Sequence, residues 1–111
     1  MDQDKINISE EFTDTPGPRY IKQGRNSGEE FRKDLLIPRY KKARERKRKL
    51  IIELDGVYGY PPSFLEESFG GLIRDMKEPV EEVLKNIEFK CSARPYLTEI
   101  IIKYMKEANK K

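Results

Sequence analysis

Leu50-Ile51-Ile52-Glu53-Leu54 is a compact apolar run lying between a basic stretch, Arg39–Lys49, and the turn pair Asp55-Gly56. A run of this length closed by a turn predicts a central strand buried on both faces. Such a strand constrains everything else in the chain, because other segments must pair with it and helices must cover it.

Two further segments show the two-residue period of a half-buried strand. Lys5–Ile8 sets Ile6 and Ile8 on one side, and Ile87–Cys91 sets Ile87, Phe89 and Cys91 against Glu88 and Lys90, close to a sheet edge. A further strand, Arg19–Lys22, is expected to answer the first across Thr15-Pro16-Gly17-Pro18, where prolines fix φ and glycine permits reversed angles.

Helices fall between these strands. Ser27-Gly28-Glu29-Glu30 has the spacing of a capping box, and Phe31 and Leu35 behind it share a face until Pro38 predicts a bend or restart around Ile37. Ser63-Phe64-Leu65-Glu66 is a second capping box, followed by Phe69, Leu72 and Ile73 at helical spacing. Gly70 and Gly71 cost this helix about 1 kcal/mol each relative to alanine. They are expected either to let it pack closely on the sheet or to end its first half. Pro79 with Glu81 and Glu82 opens a short helix reaching to Asn86, and Pro95 starts a last one whose stripe is Leu97, Ile100, Ile101 and Tyr104, before the polar tail Lys106–Lys111.

The order β-β-α-β-α-β-α predicts a single α/β domain over residues 1–111, a small mixed sheet of about four strands with helices packed on it. No internal repeat and no linker divides it.

Composition excludes several classes. With 36% hydrophobic and 39% charged residues, and no apolar run near the roughly 20 residues a bilayer requires, the chain is expected to be soluble with no membrane contact. Met1–Asn7 lacks the basic start and apolar block of a secretory signal, and the lone Cys91 can form no internal disulfide. Both features point to the cytoplasm. The absence of histidine removes the usual general base and the usual zinc ligand, so neither a metal nor a cofactor is expected.

Catalytic groupings are weak as well. The pairs Glu29-Glu30, Glu66-Glu67 and Glu81-Glu82 sit in first helical turns, where acids meet the positive end of the dipole. Gly24–Gly28 lacks the lysine and hydroxyl residue of a phosphate loop. Activation of Cys91 would fall to Lys90 or Arg94, and a buried structural cysteine is the simpler reading. No constellation unites a nucleophile, a base and a stabilising group, and a non-enzyme is expected.

The most distinctive stretch is LDGVYGYPPSFLEESFGGL, Leu54–Leu72, which leaves a buried strand, crosses a glycine, tyrosine and proline loop and enters a helix capped by Ser63. Strand-end crevices of this kind receive ligands and partners in open α/β sheets. Pro61-Pro62 stiffens the loop. Tyr58 and Tyr60 suit an interface if exposed, whereas burial as core with a satisfied hydroxyl is the commoner fate.

Together with PGPRYIKQGRNSGEEFRKDLLIP at Pro16–Pro38, this stretch resembles the STAS-like domains described as a domain of unknown function, over roughly Ile6–Cys91. The resemblance implies a small mixed sheet with helices along one side and kinship with bacterial anti-sigma-factor antagonists. Those antagonists bind a kinase-like, ATP-binding partner and are switched off by phosphorylation just after a central strand. By topology that position is Ser63. Pro61-Pro62-Ser63-Phe64 departs from the antagonist pattern, which has an aspartate and a hydroxyl pair followed by glycine. The resulting expectation is a non-catalytic regulatory module docking its partner through Tyr58, Tyr60, Pro61, Pro62, Ser63, Phe64 and Glu67. The alternative is a nucleic-acid-associated protein whose Lys41, Lys42, Arg44, Arg46, Lys47 and Arg48 neutralise phosphates. Against that alternative, the same cations complement the C-terminal end of a solvated helix.

Overall fold

The apolar run at residue 50 forms β2, Leu50–Glu53, the middle strand of a three-stranded sheet ordered β1-β2-β3. The structure, a computed structural model, describes residues 4–109. Met1–Gln3, part of the segment without an export signal, and Lys110 and Lys111 of the polar tail lie outside the described residues. Strand β1 is Asp4–Asn7 and β3 is Ile87–Lys90. Ile6, Ile52 and Phe89 stand side by side in register. Ile6, Leu50, Ile52 and Ile87 are buried on one face. The opposite face shows exposed Lys5, Glu88 and Lys90, with Ile51 only 7% exposed between them.

All three strands are parallel, so the sheet is not mixed, and the fourth strand is not formed. Arg19–Lys22 instead bends into a short 3₁₀ turn, Ile21–Gln23. The reason lies in its backbone, whose donors are taken by side chains: Tyr20 N–H donates to Gln23 Oε1 (2.9 Å) and Ile21 N–H to Glu29 Oε1 (2.9 Å). The remaining groups close a loop on themselves: Gly17 N–H donates to Asn26 O (2.8 Å), Gly28 N–H to Pro18 O (2.9 Å) and Glu29 N–H to Arg19 O (3.0 Å). Strand β1 also has no hairpin to enter. The Asn7 side chain accepts from Glu10 N–H and starts a one-turn helix, α1, Ile8–Glu11. Parallel neighbours then need helical crossovers, which the next elements supply.

Helix α2 spans residues 28–45 as Gly28–Phe31, a π-helical turn Arg32–Leu36, and Ile37–Glu45. Ser27 caps it as expected, its hydroxyl accepting from Glu30 N–H (3.0 Å), while Glu30 reaches back to Asn26 N–H (3.2 Å). The bend expected at Ile37 takes the form of the π turn. Ile37 N–H bonds to Arg32 O, five residues back, and this shift of register carries the helix past the donor missing at Pro38. Helix α3 spans residues 62–76 with a second π turn, Glu66–Gly70, between Pro62–Leu65 and Gly71–Met76. Helix α4, Val80–Lys85, and helix α5, Tyr96–Asn109, complete the fold.

Five phenylalanines link these elements. Phe31 packs on Phe12 (5.3 Å between centroids), Phe64 (5.9 Å) and Phe69 (6.1 Å), and Phe69 meets Phe89 of β3 edge-on at 5.6 Å. Ile101 and Met105 of α5 are fully buried against the same cluster, while Ile100 and Tyr104 of its expected stripe are half-buried.

Candidate functional site

Because all three strands run the same way, their C-terminal ends deliver three loops to one side of the sheet. The loop after β2 is fastened from both flanks. Asp55 accepts backbone N–H bonds from Ser92 (2.9 Å) and Ala93 (3.0 Å) in the loop after β3, which hold its carboxyl below the usual aspartate range. Gly56 adopts φ +92°, and a Cβ there would lie 2.6 Å from the Ser9 hydroxyl of α1, so both the backbone angle and the space call for glycine.

Tyr58 is held by its main chain alone. Its N–H donates to Asp14 O (2.9 Å), and Arg94 Nη2 donates to its carbonyl (2.9 Å). Its side chain is 77% exposed. Tyr60, two residues on, turns inward: its hydroxyl donates to Leu54 O (2.8 Å), its ring lies 6.2 Å from Phe64, and burial pushes its phenol well above the usual tyrosine range. The two tyrosines, for which burial is the commoner fate, therefore part company, with Tyr60 half-buried against the core and Tyr58 in solvent.

Cys91 is half-buried rather than buried, donates its thiol to Arg94 O, and burial pushes that thiol up. With Leu54, Val57, Arg94 and Leu97 it lines a cavity of about 140 Å³ under the loop.

Ser63 is not the helix cap. Pro61 occupies that position in extended geometry and Pro62 is the first helical residue, leaving Ser63 one place further in, half-buried and without a capping bond. The capping-box pattern loses to Pro62, whose ring fixes a helical φ and whose missing N–H costs nothing in a first turn. Phe64 is fully buried and Glu67 only 7% exposed, so neither reaches the surface where a partner would meet Tyr58.

Glu67 belongs to an ion-pair cluster that the sequence did not reveal. Arg32, in the π turn of α2, donates to Glu67 Oε2 (2.6 Å), to Glu67 O (2.7 Å) and to Asp75 (2.9 Å). Arg74 and Arg19 both bind Glu66, and Arg74 most strongly holds that carboxyl below the usual glutamate range. Gly71 makes room for this cluster, since a Cβ would fall 2.4 Å from Arg32 Nη1. A Cβ at Gly70 would lie 2.7 Å from the Glu66 carboxylate, so the glycine pair makes room for the ion-pair cluster rather than for the sheet. The clue available in the sequence was the pair itself, and parallel topology was the clue to Arg94, which follows β3 and so meets the loop after β2.

The basic segment is partly consumed inside the fold. Arg44 donates to Glu78 (2.8 Å) and to the Tyr40 hydroxyl (2.7 Å), and Arg46 to Asp4 (2.8 Å). Lys41, Lys42, Lys47 and Arg48 are exposed.

A small α/β domain with a parallel sheet, helical crossovers and a rigid loop leading from the central strand into a helix is the class these features define. A family model described as a STAS-like domain of unknown function (DUF4325) matches residues 27–97, and the chain belongs to that family. The match bears out the resemblance of Leu54–Leu72 and begins at Ser27, after the Pro16–Asn26 part of the earlier stretch. No curated protein and no solved structure matches the chain. Among the described residues no helix is long and apolar enough to cross a membrane.

Proposed function

We propose that this STAS-like domain is a non-catalytic regulatory module of the bacterial cytoplasm. It docks an ATP-binding, kinase-like protein through the loop at residues 54–61 and the first turn of α3. The observation that carries the reading is Tyr58, an aromatic side chain 77% exposed on a main chain fastened by Asp14 and Arg94. An exposed ring on a rigid support has few torsions to freeze on binding, which is what an interface anchor requires.

Ser63 supports a switch on the same surface. Its hydroxyl is not spent on a cap, and a phosphate in this first turn would face the free backbone donors of α3. Repulsion from Glu66 and Glu67 is offset because Arg19, Arg32 and Arg74 bind both carboxylates.

The test is calorimetric titration against an ATP-binding, kinase-like protein from the same genome. Tyr58→Ala is expected to weaken binding at least about tenfold, and Ser63→Glu to weaken it as well, both with unchanged circular dichroism. Unchanged affinity in both variants would overturn the proposed surface.

A further inference from the structure

The outward edge of β3 is written so that it can pair with itself. Leu50 N–H donates to Asn86 O and Leu54 N–H to Lys90 O, each at 2.8 Å, so the even-numbered residues of this segment turn their backbone groups toward β2. In a parallel ladder the alternate residues then face away, and Ile87, Phe89 and Cys91 present N–H and C=O outward. No side chain among the described residues bonds to these groups. The opposite edge differs, because Arg39 donates to Lys5 O (3.0 Å) and Glu11 accepts from Asn7 N–H (3.1 Å), so side chains cover one outward group at each of these two residues of β1.

We propose that the free edge of β3 pairs antiparallel with β3 of a second copy of this chain, about a two-fold axis at Phe89. At that register the two Phe89 residues exchange both backbone hydrogen bonds, and Ile87 faces Cys91 of the mate. Glu88 lies opposite Lys90 of the mate, twice by symmetry. Moving the axis to Glu88 would oppose glutamate to glutamate, and moving it to Ile87 would leave Lys90 outside the pairing, so the charges select one register. Glu88 and Lys90 are exposed, and both project from the polar face. Phe89 is half-buried with its ring fixed by Phe69, leaving its outer edge for its counterpart. Edge charges ordinarily repel a second strand. Opposite signs two residues apart do the reverse when the second strand is an antiparallel copy.

Sedimentation velocity over a concentration series tests the pairing. The intact chain is expected to dimerise, and Glu88→Lys and Lys90→Glu, each turning two attractive pairs into two repulsive ones, should each raise the dimer Kd at least about tenfold. The double exchange Glu88→Lys with Lys90→Glu restores complementarity and should return the Kd to near its original value. Both side chains are exposed, so circular dichroism should not change. An intact chain that stays monomeric, a dimer indifferent to the single exchanges, or a double exchange as weak as either single one would each overturn the proposal. So would an edge that captures an extended peptide of other sequence while the chain itself stays monomeric.

Discussion

The two edges of the sheet flank one central strand and meet opposite treatment. On both, alternate residues turn N–H and C=O outward. At β1 two of those groups are covered by a side-chain clasp, Arg39 on Lys5 O and Glu11 on Asn7 N–H, itself closed by an ion pair of 2.6 Å between Arg39 and Glu11. At β3 no such clasp is present among the described residues, and the strand is held only by β2 and by the core beneath it. Proteins that leave an edge open commonly blunt it with charge. Here one edge is blunted by bonds to the backbone, and the other carries charges that suit a copy of itself.

The largest effect is expected from cutting the support under β3. Phe69 is fully buried and touches both Phe31 and Phe89, so Phe69→Ala should cost about 3–5 kcal/mol in urea unfolding. Amide exchange should quicken at Ile87–Lys90 more than at Asp4–Asn7, since the clasp on β1 is untouched. Equal loosening of both strands would mean that the edges do not depend on different supports.

This contrast was only partly legible in the sequence. The strands themselves were readable: the Leu50 run has no other use in a chain this polar, and Ile87–Cys91 keeps a clean two-residue period. The failed strand, Arg19–Lys22, rested on a short alternation of residue types, and the side chains that take its N–H groups, Gln23 and Glu29, follow it in the chain and leave no periodic trace. Ser63 satisfied a capping box, yet Pro62 before it is a better helix opener, and local rules of equal range gave no way to rank them. Glu67 looked like an ordinary first-turn acid. Its burial depends on Arg32, 35 residues upstream, entering the space above Gly71, and side-chain pairing at that distance leaves no periodic trace. Tyr58 and Tyr60 lie in a loop without a repeating pattern, so only the tertiary bonds of Asp14, Arg94 and Leu54 decide which ring faces water.

A smaller effect breaks the comparison from the other side. Arg39→Ala removes the donor to Lys5 O and leaves Glu11 without its cation. The loss of stability should be at most about 1 kcal/mol, because the pair is partly exposed. The consequence for association should be larger than that for stability. With β1 open as well as β3, sedimentation should show species above the dimer, growing with concentration, whereas the intact chain stops at pairing through one edge. A variant that associates no further than the intact chain would show that the clasp does not guard β1.

The clasp should also respond to acid, and here the expected effect is the smallest. Burial alone would raise the Glu11 carboxyl, but the bonds from Arg39 and from Asn7 N–H outweigh it and leave the group below its ordinary value of 4.5. A carboxyl whose folded value is depressed stabilises the fold above its unfolded value, and it loses that contribution as pH falls through the lower, folded one. The clasp is therefore fully made at neutral pH and fails only in the range below 4.5. At neutral pH, Glu11→Gln should lower the urea midpoint by an amount worth a few tenths of a kcal/mol. As the intact chain is titrated into acid until its own carboxyl takes up a proton, the gap between the two proteins should close. A gap that persists or widens in acid would place the stabilising role of Glu11 in something other than its charge, and the closure of β1 would then rest on Arg39 alone.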